Sequence, residues 1–327
     1  MTLRLTVESD AWHAHVRDVV ASYGDVLPVV KGNGYGFGRA ELMPHAQAIS
    51  RDVAVGTVHE LDDVAATQRP FVLTPVGVGA GDVARRDAVL AITSTHDLGV
   101  LKQLGVANPV VIKIESSMHR YGIAATEAGD LRKRAEAAGH QVVAWSVHLP
   151  LAGSDDSHAA EAIAIAGALA TDLPLHLSHI GAAVQQVRAA TAHHVVMRTG
   201  THLWLGDKSM VALHADVIAV RATTFGTAGY RATKIPTGAN THLVMVGCGS
   251  SHGVGALSDV GALSDVGALS DGSSPFHFAR QRLAMLEPPH MHTTMLCIPS
   301  DLHLREGDWV DVQQPMTRVY PDVIVWR

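Results

Sequence analysis

Cysteine is nearly absent from this chain: its 327 residues include only Cys248 and Cys297, with no CxxC pair. So few thiols exclude a disulfide-stapled scaffold and fit a reducing compartment. Aromatic residues are also scarce, at 5%, and charged residues amount to 17%. The formal charge of −6, with basic residues scattered along the chain, argues against a nucleic-acid-binding surface.

Long apolar runs and metal-binding patterns are missing as well. No stretch could cross a membrane without polar interruption, and the first residues, MTLRLTVESDAW, contain no apolar signal segment. We therefore expect a cytoplasmic protein. Histidine is plentiful, with 21 residues, but no HExxH sequence and no cluster with Asp or Cys at ligand spacing occurs. The sequence predicts no metal site.

What the first two thirds of the chain do contain is a regular alternation of apolar runs and amphipathic segments. Helix-like segments such as TEAGDLRKRAEAAG separate the apolar runs. Such alternation is typical of a parallel sheet covered by helices, and eight strands predict a (β/α)8 barrel of the TIM type. The predicted strands are residues 26–30, 53–58, 70–75, 88–93, 109–114, 142–148, 173–179 and 194–200.

The last third of the chain has a different residue pattern, in which Gly, Pro and Asp interrupt short predicted strands. We predict a strand within residues 1–10 that joins this β domain, a barrel over residues 11–215, and the β domain over residues 216–327. The sequence VGALSD occurs three times in tandem at 254–271, which is too short for a solenoid. We interpret the repeat as a surface loop without a catalytic role.

Five polar residues lie at or just beyond the ends of predicted strands. Catalytic residues of such barrels gather at the carboxyl ends of the strands. We therefore expect these five at one end of the barrel: Lys31, Lys113, His148, His179 and Arg198.

Lys31 lies between an apolar strand and a glycine-rich loop, in VVKGNGYGFG at 29–38. A lysine amine attacks a carbonyl only when it is deprotonated, and desolvation favours that form. The glycines allow close approach of a planar ligand and leave N–H groups for an anion, and Tyr35 offers a hydroxyl to a phosphate. These features indicate a Schiff-base lysine with a phosphorylated aldehyde cofactor; a lysine that merely ends a strand is the alternative.

A series of motifs, in order along the chain, resembles the alanine racemase family of fold-type III pyridoxal-phosphate (PLP) enzymes. VVKGNGYGFG resembles that family's V-V-K-A-N-A-Y-G-H-G. The other matching stretches are VIKIESSMHRYGI at 111–123, SVHLPLAGSDD at 146–156, LHLSHIGAA at 175–183, VMRTGTHLWLG at 196–206 and, more loosely, PPHMHTTML at 288–296.

The resemblance implies a role for each matching residue. Lys31 would form the Schiff base with PLP and act as a base on one face of the substrate Cα, and Tyr35 would hold the phosphate. Arg198, supported by His148, would donate to the pyridine nitrogen. The remaining implied contacts are Arg120 to the phenolic oxygen, Lys113 as a lysine often carbamylated in the family, His179 at the cofactor, and the backbone of Gly181, Gly200 and Thr201 at the phosphate.

The substrate side departs from the family pattern. Family members take a second acid–base group, a tyrosine, from the partner subunit, so the resemblance implies a homodimer with shared active sites. In TTFGTAGYRA at 223–232, Phe225 stands at that position, and a phenyl ring cannot transfer a proton. Other groups that could serve the second face are Tyr230, His252, His292 and Cys248.

Three functions therefore stay open. The first is a PLP-dependent racemase that abstracts the Cα proton of an amino acid other than alanine. The second is a one-base PLP lyase or decarboxylase. The third is a PLP-binding homologue with little activity and a regulatory role. In each reading the small-molecule partner is an amino acid.

Overall fold

The computed structural model describes residues 2–81, 83–223, 226–236, 241–257 and 273–327. Its helices are α1 (Ser9–Tyr23), α2 (Arg39–Ile49), α3 (Thr95–Gln103), α4 (Ala128–Ala137), α5 (Asp155–Ala166), α6 (Val184–Ala190) and α7 (Thr201–Leu205). Phe225 and most of the VGALSD repeat lie outside the described residues.

The chain divides into two compact units. The barrel unit comprises Ala14–Gly34 and Arg39–Gly206, and the β unit comprises Met1–His13, Tyr35–Gly38 and Asp207–Arg327. The short segment Tyr35–Gly38, directly after the lysine loop, thus belongs to the β unit although barrel residues flank it in sequence.

Eight parallel strands form the barrel, which confirms the predicted fold class. The strands are β2 (Val26–Pro28), β3 (Asp52–Val55), β4 (Arg69–Val72), β5 (Leu90–Ile92), β6 (Val110–Ile114), β7 (Val142–Val147), β8 (Leu175–Leu177) and β9 (Val195–Thr199). Hydrogen-bonded pairing runs β2-β9-β8-β7-β6-β5, and β3 pairs with β4. Parallel bridges Val29–Ala54 and Phe71–Val89 close the ring.

The barrel strands are apolar because both of their faces are buried. In β6, the whole sequence VVIKI is buried, as expected when helices cover a parallel sheet. The barrel interior is filled by a cluster that includes Leu27, Phe71 and Val111. This packed interior leaves the carboxyl ends of the strands as the place where polar side chains collect.

The β unit contains a nine-stranded sheet in which β1 pairs antiparallel with β10 and parallel with β19. Its strands alternate between buried and accessible side chains, as β17 shows. They are β1 (Leu3–Val7), β10 (Val211–Thr223), β13 (Thr241–Val246), β14 (Phe276–Phe278), β15 (Gln281–Arg282), β16 (Ala284–Met285), β17 (Thr294–Pro299), β18 (Trp309–Val312) and β19 (Val323–Trp326), with a separate hairpin of β11 (Thr227–Ala228) and β12 (Thr233–Lys234). In the described part of the chain, no helix is long and apolar enough to span a membrane.

Candidate active site

Lys31 lies just beyond β2, at the carboxyl end of the barrel strands. Its carbonyl accepts a hydrogen bond from the Gly34 N–H at 3.0 Å, so the chain turns directly after it. The Lys31 side chain is accessible. Desolvation in the barrel mouth nevertheless lowers the pKa of the Lys31 amine, and repulsion from Arg198 and Arg120 lowers it further. The amine is therefore more readily deprotonated than that of an ordinary lysine.

Four cations share this end of the barrel. Lys113 and Arg198 are 3% and 5% exposed, so neither charge is solvated by bulk water. Burial, with repulsion from Arg198, Arg120 and Lys31, lowers the pKa of Lys113 to about 6. Burial also lowers the pKa of Arg198 to about 10. The resulting excess of positive charge favours binding of an anionic ligand.

Arg198, on β9, is fixed by donors and acceptors of the neighbouring strands. It donates to the Ser146 hydroxyl, to the Val147 carbonyl at 3.1 Å and to the Ser178 hydroxyl at 3.1 Å. No carboxylate is among these partners. The guanidinium is thus held by neutral groups and keeps its full charge for another ligand.

His148 follows β7 and is neutral. Burial, with repulsion from Arg198, lowers the pKa of the His148 imidazole to about 2. The Ser178 hydroxyl oxygen accepts a hydrogen bond from Arg198. The hydroxyl proton of Ser178 is therefore available for donation to His148 Nδ1, 2.6 Å away. Nδ1 is then the acceptor, and the imidazole proton lies on Nε2.

Lys113 and Arg120 both lie close to one aromatic ring. Lys113 Nζ is 5.2 Å and Arg120 Cζ 4.5 Å from the Tyr121 ring centroid. These residues line a small cavity together with Ser116, Met118 and His148. The Tyr121 ring thus lies close to both basic side chains, and both side chains line the cavity.

His179 and Gly181 both have left-handed backbone, with φ of 61° and 56°. His179 Nδ1 donates to the Leu149 carbonyl at 2.9 Å, and its ring centroid is 4.6 Å from that of His148. A Cβ at Gly181 would lie 2.3 Å from Asp155 Oδ2, so glycine is required there. The same carboxylate repels anions, which makes Gly181 the least favourable of the predicted phosphate contacts.

The remaining predicted phosphate contacts lie on two separate segments. Gly200 and Thr201 form the junction where β9 ends and α7 begins. Tyr35 is buried, has a φ of 56° and belongs to the β unit.

Of the predicted second acid–base groups, two are accessible. Tyr230, on the β11–β12 hairpin, is 88% exposed, and its ring lies 4.4 Å from that of His290. The buried Glu287 carboxylate fixes the loop by accepting the Tyr230 N–H at 2.9 Å and pairing with His290 Nε2 at 2.5 Å. His292 is exposed, and its Nδ1 lies 2.9 Å from the Ser251 hydroxyl.

The other two predicted groups are enclosed within the β unit. Cys248 is fully buried, and burial raises the pKa of its thiol far above the ordinary value. His252 is 7% exposed; its Nδ1 accepts the Gly249 N–H at 3.1 Å and its Nε2 lies 3.2 Å from Asp322. Both ring nitrogens of His252 are occupied, so its environment is that of a structural histidine.

Sequence reasoning missed Ser146, Ser178 and Tyr121. Strand pairing places Lys113, Ser146 and His176 at one level of the sheet, and Ser178 follows two residues after His176. The available signal was an isolated small polar residue at the end of an otherwise apolar strand, which is where a buried arginine needs acceptors.

Comparison with known proteins gives a family match over most of the chain. The family description "Alanine racemase, N-terminal domain" matches residues 7–208. An alanine racemase of Alcanivorax borkumensis is 28% identical over 237 residues, covering 65% of this chain and 66% of the relative. The chain therefore matches slightly less than two thirds of that relative's length.

Solved structures share the whole architecture. The alanine racemase of E. faecalis superposes with a TM-score of 0.72 at 15% identity, covering 100% of this chain and 98% of that one. The biosynthetic enzyme of Pseudomonas aeruginosa gives 0.71 at 19% identity, covering 100% and 99%. The enzyme of Bartonella henselae, which holds covalently bound pyridoxal phosphate, gives 0.69 at 16% identity, covering 97% and 91%.

Proposed function

The chain belongs to the alanine racemase family, and we propose that it is a PLP-dependent amino-acid racemase that works as a homodimer. The observation that carries the proposal is the group of cations at the barrel mouth around an accessible lysine of lowered pKa. PLP is an anion with an aldehyde, and these residues suit both properties. When bound, PLP makes the Cα proton of an amino acid joined to it acidic enough for a side chain to remove.

Lys31 would carry the cofactor aldehyde and then act as the base on one face of Cα. Its lowered pKa increases the fraction of free amine near neutral pH, which serves both tasks. Tyr35 and the backbone at Gly200 and Thr201 would hold the phosphate, with a weaker contribution at Gly181.

Arg198 would donate a hydrogen bond to the pyridine nitrogen. Its pKa of about 10 lies well above neutral pH, so it donates without releasing its proton. By leaving the ring nitrogen uncharged, Arg198 would weaken the ring as an electron sink and favour return of a proton to Cα. His148 helps to fix the guanidinium through Ser178, and the His179 ring lies against the His148 ring.

Arg120 would bind the phenolic oxygen of the cofactor, braced by a carbamate on Lys113. A pKa of about 6 leaves the Lys113 amine mostly uncharged at neutral pH, and only an uncharged amine combines with carbon dioxide. The carbamate would convert this buried, mostly uncharged amine beside Arg120 into an anion.

The opposite face of Cα would be served by the partner subunit's Tyr230. Its exposure fits a side chain that completes a site elsewhere, and a phenol is able to donate a proton. His292 is the second choice because it is also accessible. Cys248 and His252 are disfavoured by their burial.

The proposal is tested by loading the purified protein with PLP and following its visible absorption band. We expect the band, and the mass added to the Lys31 peptide after borohydride reduction, to disappear in Lys31→Ala and persist in a Lys102→Ala control. A panel of amino acids is then incubated in deuterated water. Deuterium incorporation at Cα with loss of chirality is the expected result.

The other outcomes separate the alternatives. Exchange with retained chirality, or a new product, identifies a one-base lyase or decarboxylase. A band without any exchange identifies a PLP-binding protein with little catalysis. Absence of the band contradicts the cofactor assignment itself.

A further inference from the structure

Gly32, the residue after Lys31, is held at its N–H by a side chain of one short segment and at its carbonyl by an arginine that is paired with the same segment. The Gly32 N–H donates to Glu60 Oε1 at 3.0 Å. The Gly32 carbonyl accepts from Arg39, which in turn is paired with Asp63 at 2.5 Å. Glu60 and Asp63 both belong to the short 3-10 helix Val58–Asp63.

The Glu60 carboxylate also joins two neighbouring strands. Its Oε2 accepts the Gly56 N–H at 2.6 Å, directly after β3. A Cβ at Gly56 would lie 3.1 Å from both carboxylate oxygens, so glycine leaves room for this contact. One side chain thus connects the carboxyl ends of β2 and β3, the two strands already linked by the Val30 N–H and the Ala54 carbonyl at 2.8 Å.

The lysine loop depends on such contacts because it has no regular hydrogen-bond ladder beyond the strand. Gly32 has a φ of 61°, and no atom lies within 4 Å of the position of its missing Cβ. Side-chain packing therefore does not fix this residue. Hydrogen bonds to its N–H and its carbonyl do so instead.

We propose that Glu60 is a positioning residue for Lys31: it holds the Gly32 amide, so that the lysine leaves β2 in one direction, and it places a negative charge beside the amine. The inference rests on the proposed role of Lys31 as the cofactor lysine. The Glu60 charge opposes those of Arg198 and Arg120 at the amine. The charged and titratable groups that interact with Lys31 are Arg198, Arg120, Lys113, His179 and Glu60.

Glu60→Gln in the PLP-loaded protein tests both parts of this role. A glutamine has one acceptor oxygen and no charge, so it cannot replace both hydrogen bonds. We expect backbone hydrogen exchange in a peptide covering residues 29–35 to accelerate about tenfold. The pH midpoint of the visible band should fall, because loss of the negative charge disfavours a protonated nitrogen at Lys31. Asp62→Asn, an exposed neighbour in the same short helix, should change neither quantity.

Glu60→Asp separates position from charge. The shorter side chain keeps the charge but cannot reach both amides, so exchange should rise while the pH midpoint stays near that of the wild type. If Glu60→Gln matches Asp62→Asn in both measurements, the positioning role is wrong, even though the wild type loads PLP on Lys31. If the wild type does not load PLP, the proposed function fails. Backbone hydrogen exchange in the unloaded protein then still tests whether Glu60 holds the Gly32 amide.

Discussion

The barrel mouth and the β unit differ in the groups that surround their buried basic side chains. At the barrel mouth, Lys113 and Arg198 are buried beside other cations, and the pKa values of both are lowered. In the β unit, buried or half-buried histidines are matched with carboxylates: His290 with Glu287 and His252 with Asp322. Among the described residues, the barrel mouth carries an excess of positive charge, whereas the β unit pairs histidines with carboxylates.

This difference separates a binding site from a scaffold. Buried charges without counter-ions oppose folding, and a chain keeps them when a ligand supplies the missing charge. The paired histidines of the β unit need no ligand, so we interpret their role as structural. Tyr230 is the exception in that unit, because its loop is fixed by Glu287 while its ring is exposed.

The largest expected effect comes from Tyr230→Phe, which removes only a hydroxyl. If the phenol transfers the proton on the second face, racemisation should slow by about 10²- to 10⁴-fold. PLP loading and thermal stability should stay unchanged, since the ring contact with His290 is kept. Tyr320→Phe, another exposed tyrosine of the β unit, is the control. Full activity in Tyr230→Phe would transfer the role to His292.

Lys113→Met tests the uncompensated charge directly. The folded-state pKa of about 6 lies below the ordinary 10.5, so between these values the unfolded chain binds the extra proton. Stability therefore rises with pH in that window, by up to about 1.4 kcal/mol per pH unit. We expect the free energy of unfolding of the variant, in PLP-free buffer without carbon dioxide, to exceed that of the wild type at pH 7.

That difference should shrink as the pH is raised to 9, because removing the proton of the wild-type lysine on folding costs less free energy as the pH approaches the ordinary pKa of 10.5. Urea unfolding at several pH values measures it. The exposed Lys102→Met is the control and should give no such trend. A variant less stable than the wild type at pH 7 would contradict the view that this cation is uncompensated.

Glu287→Gln tests the compensated region. Burial raises the pKa of this carboxyl, but hydrogen bonds from His290, Arg231 and Tyr230 outweigh that effect and lower it. The carboxylate thus contributes stability above its ordinary pKa, and this contribution is lost as the pH falls through the lower folded-state value. We expect the variant to lose about 1–3 kcal/mol of unfolding free energy at pH 7, with no loss in the exposed Glu306→Gln.

Asp322→Asn should give the smallest effect. The Asp322 side chain is 42% exposed, and partly exposed ion pairs contribute about 0–1 kcal/mol. Because His252 faces the interior of the β unit, racemisation should not change. A clear loss of racemase activity with intact PLP loading would show that His252 has a chemical role after all.

The local pattern of the chain predicted much of this molecule. Each of the eight predicted runs overlaps a barrel strand, because strands buried on both faces must be apolar throughout. The five polar residues lie at the carboxyl ends of these strands, because the packed apolar interior leaves that end for polar side chains. Burial of Cys248 and His252, in contrast, depends on contacts with residues distant in sequence, which short motifs do not specify.

Ser146, Ser178 and Glu60 were missed because each acts through a partner distant in sequence. Ser146 contacts Arg198 52 residues away, and Glu60 contacts Gly32 28 residues away. Nothing in a window around a serine or a glutamate distinguishes these contacts from surface positions. Strand register and the direction of a turn create them.

The family, the barrel and the lysine that would carry the cofactor are all readable from the amino-acid sequence, because periodicity and compact motifs are local properties. Which groups are reachable, and how strongly their protons are held, depends on the folded chain. Desolvation and charge repulsion act through space, so the pKa of Lys113 and the accessibility of Tyr230 exist only once the chain has folded.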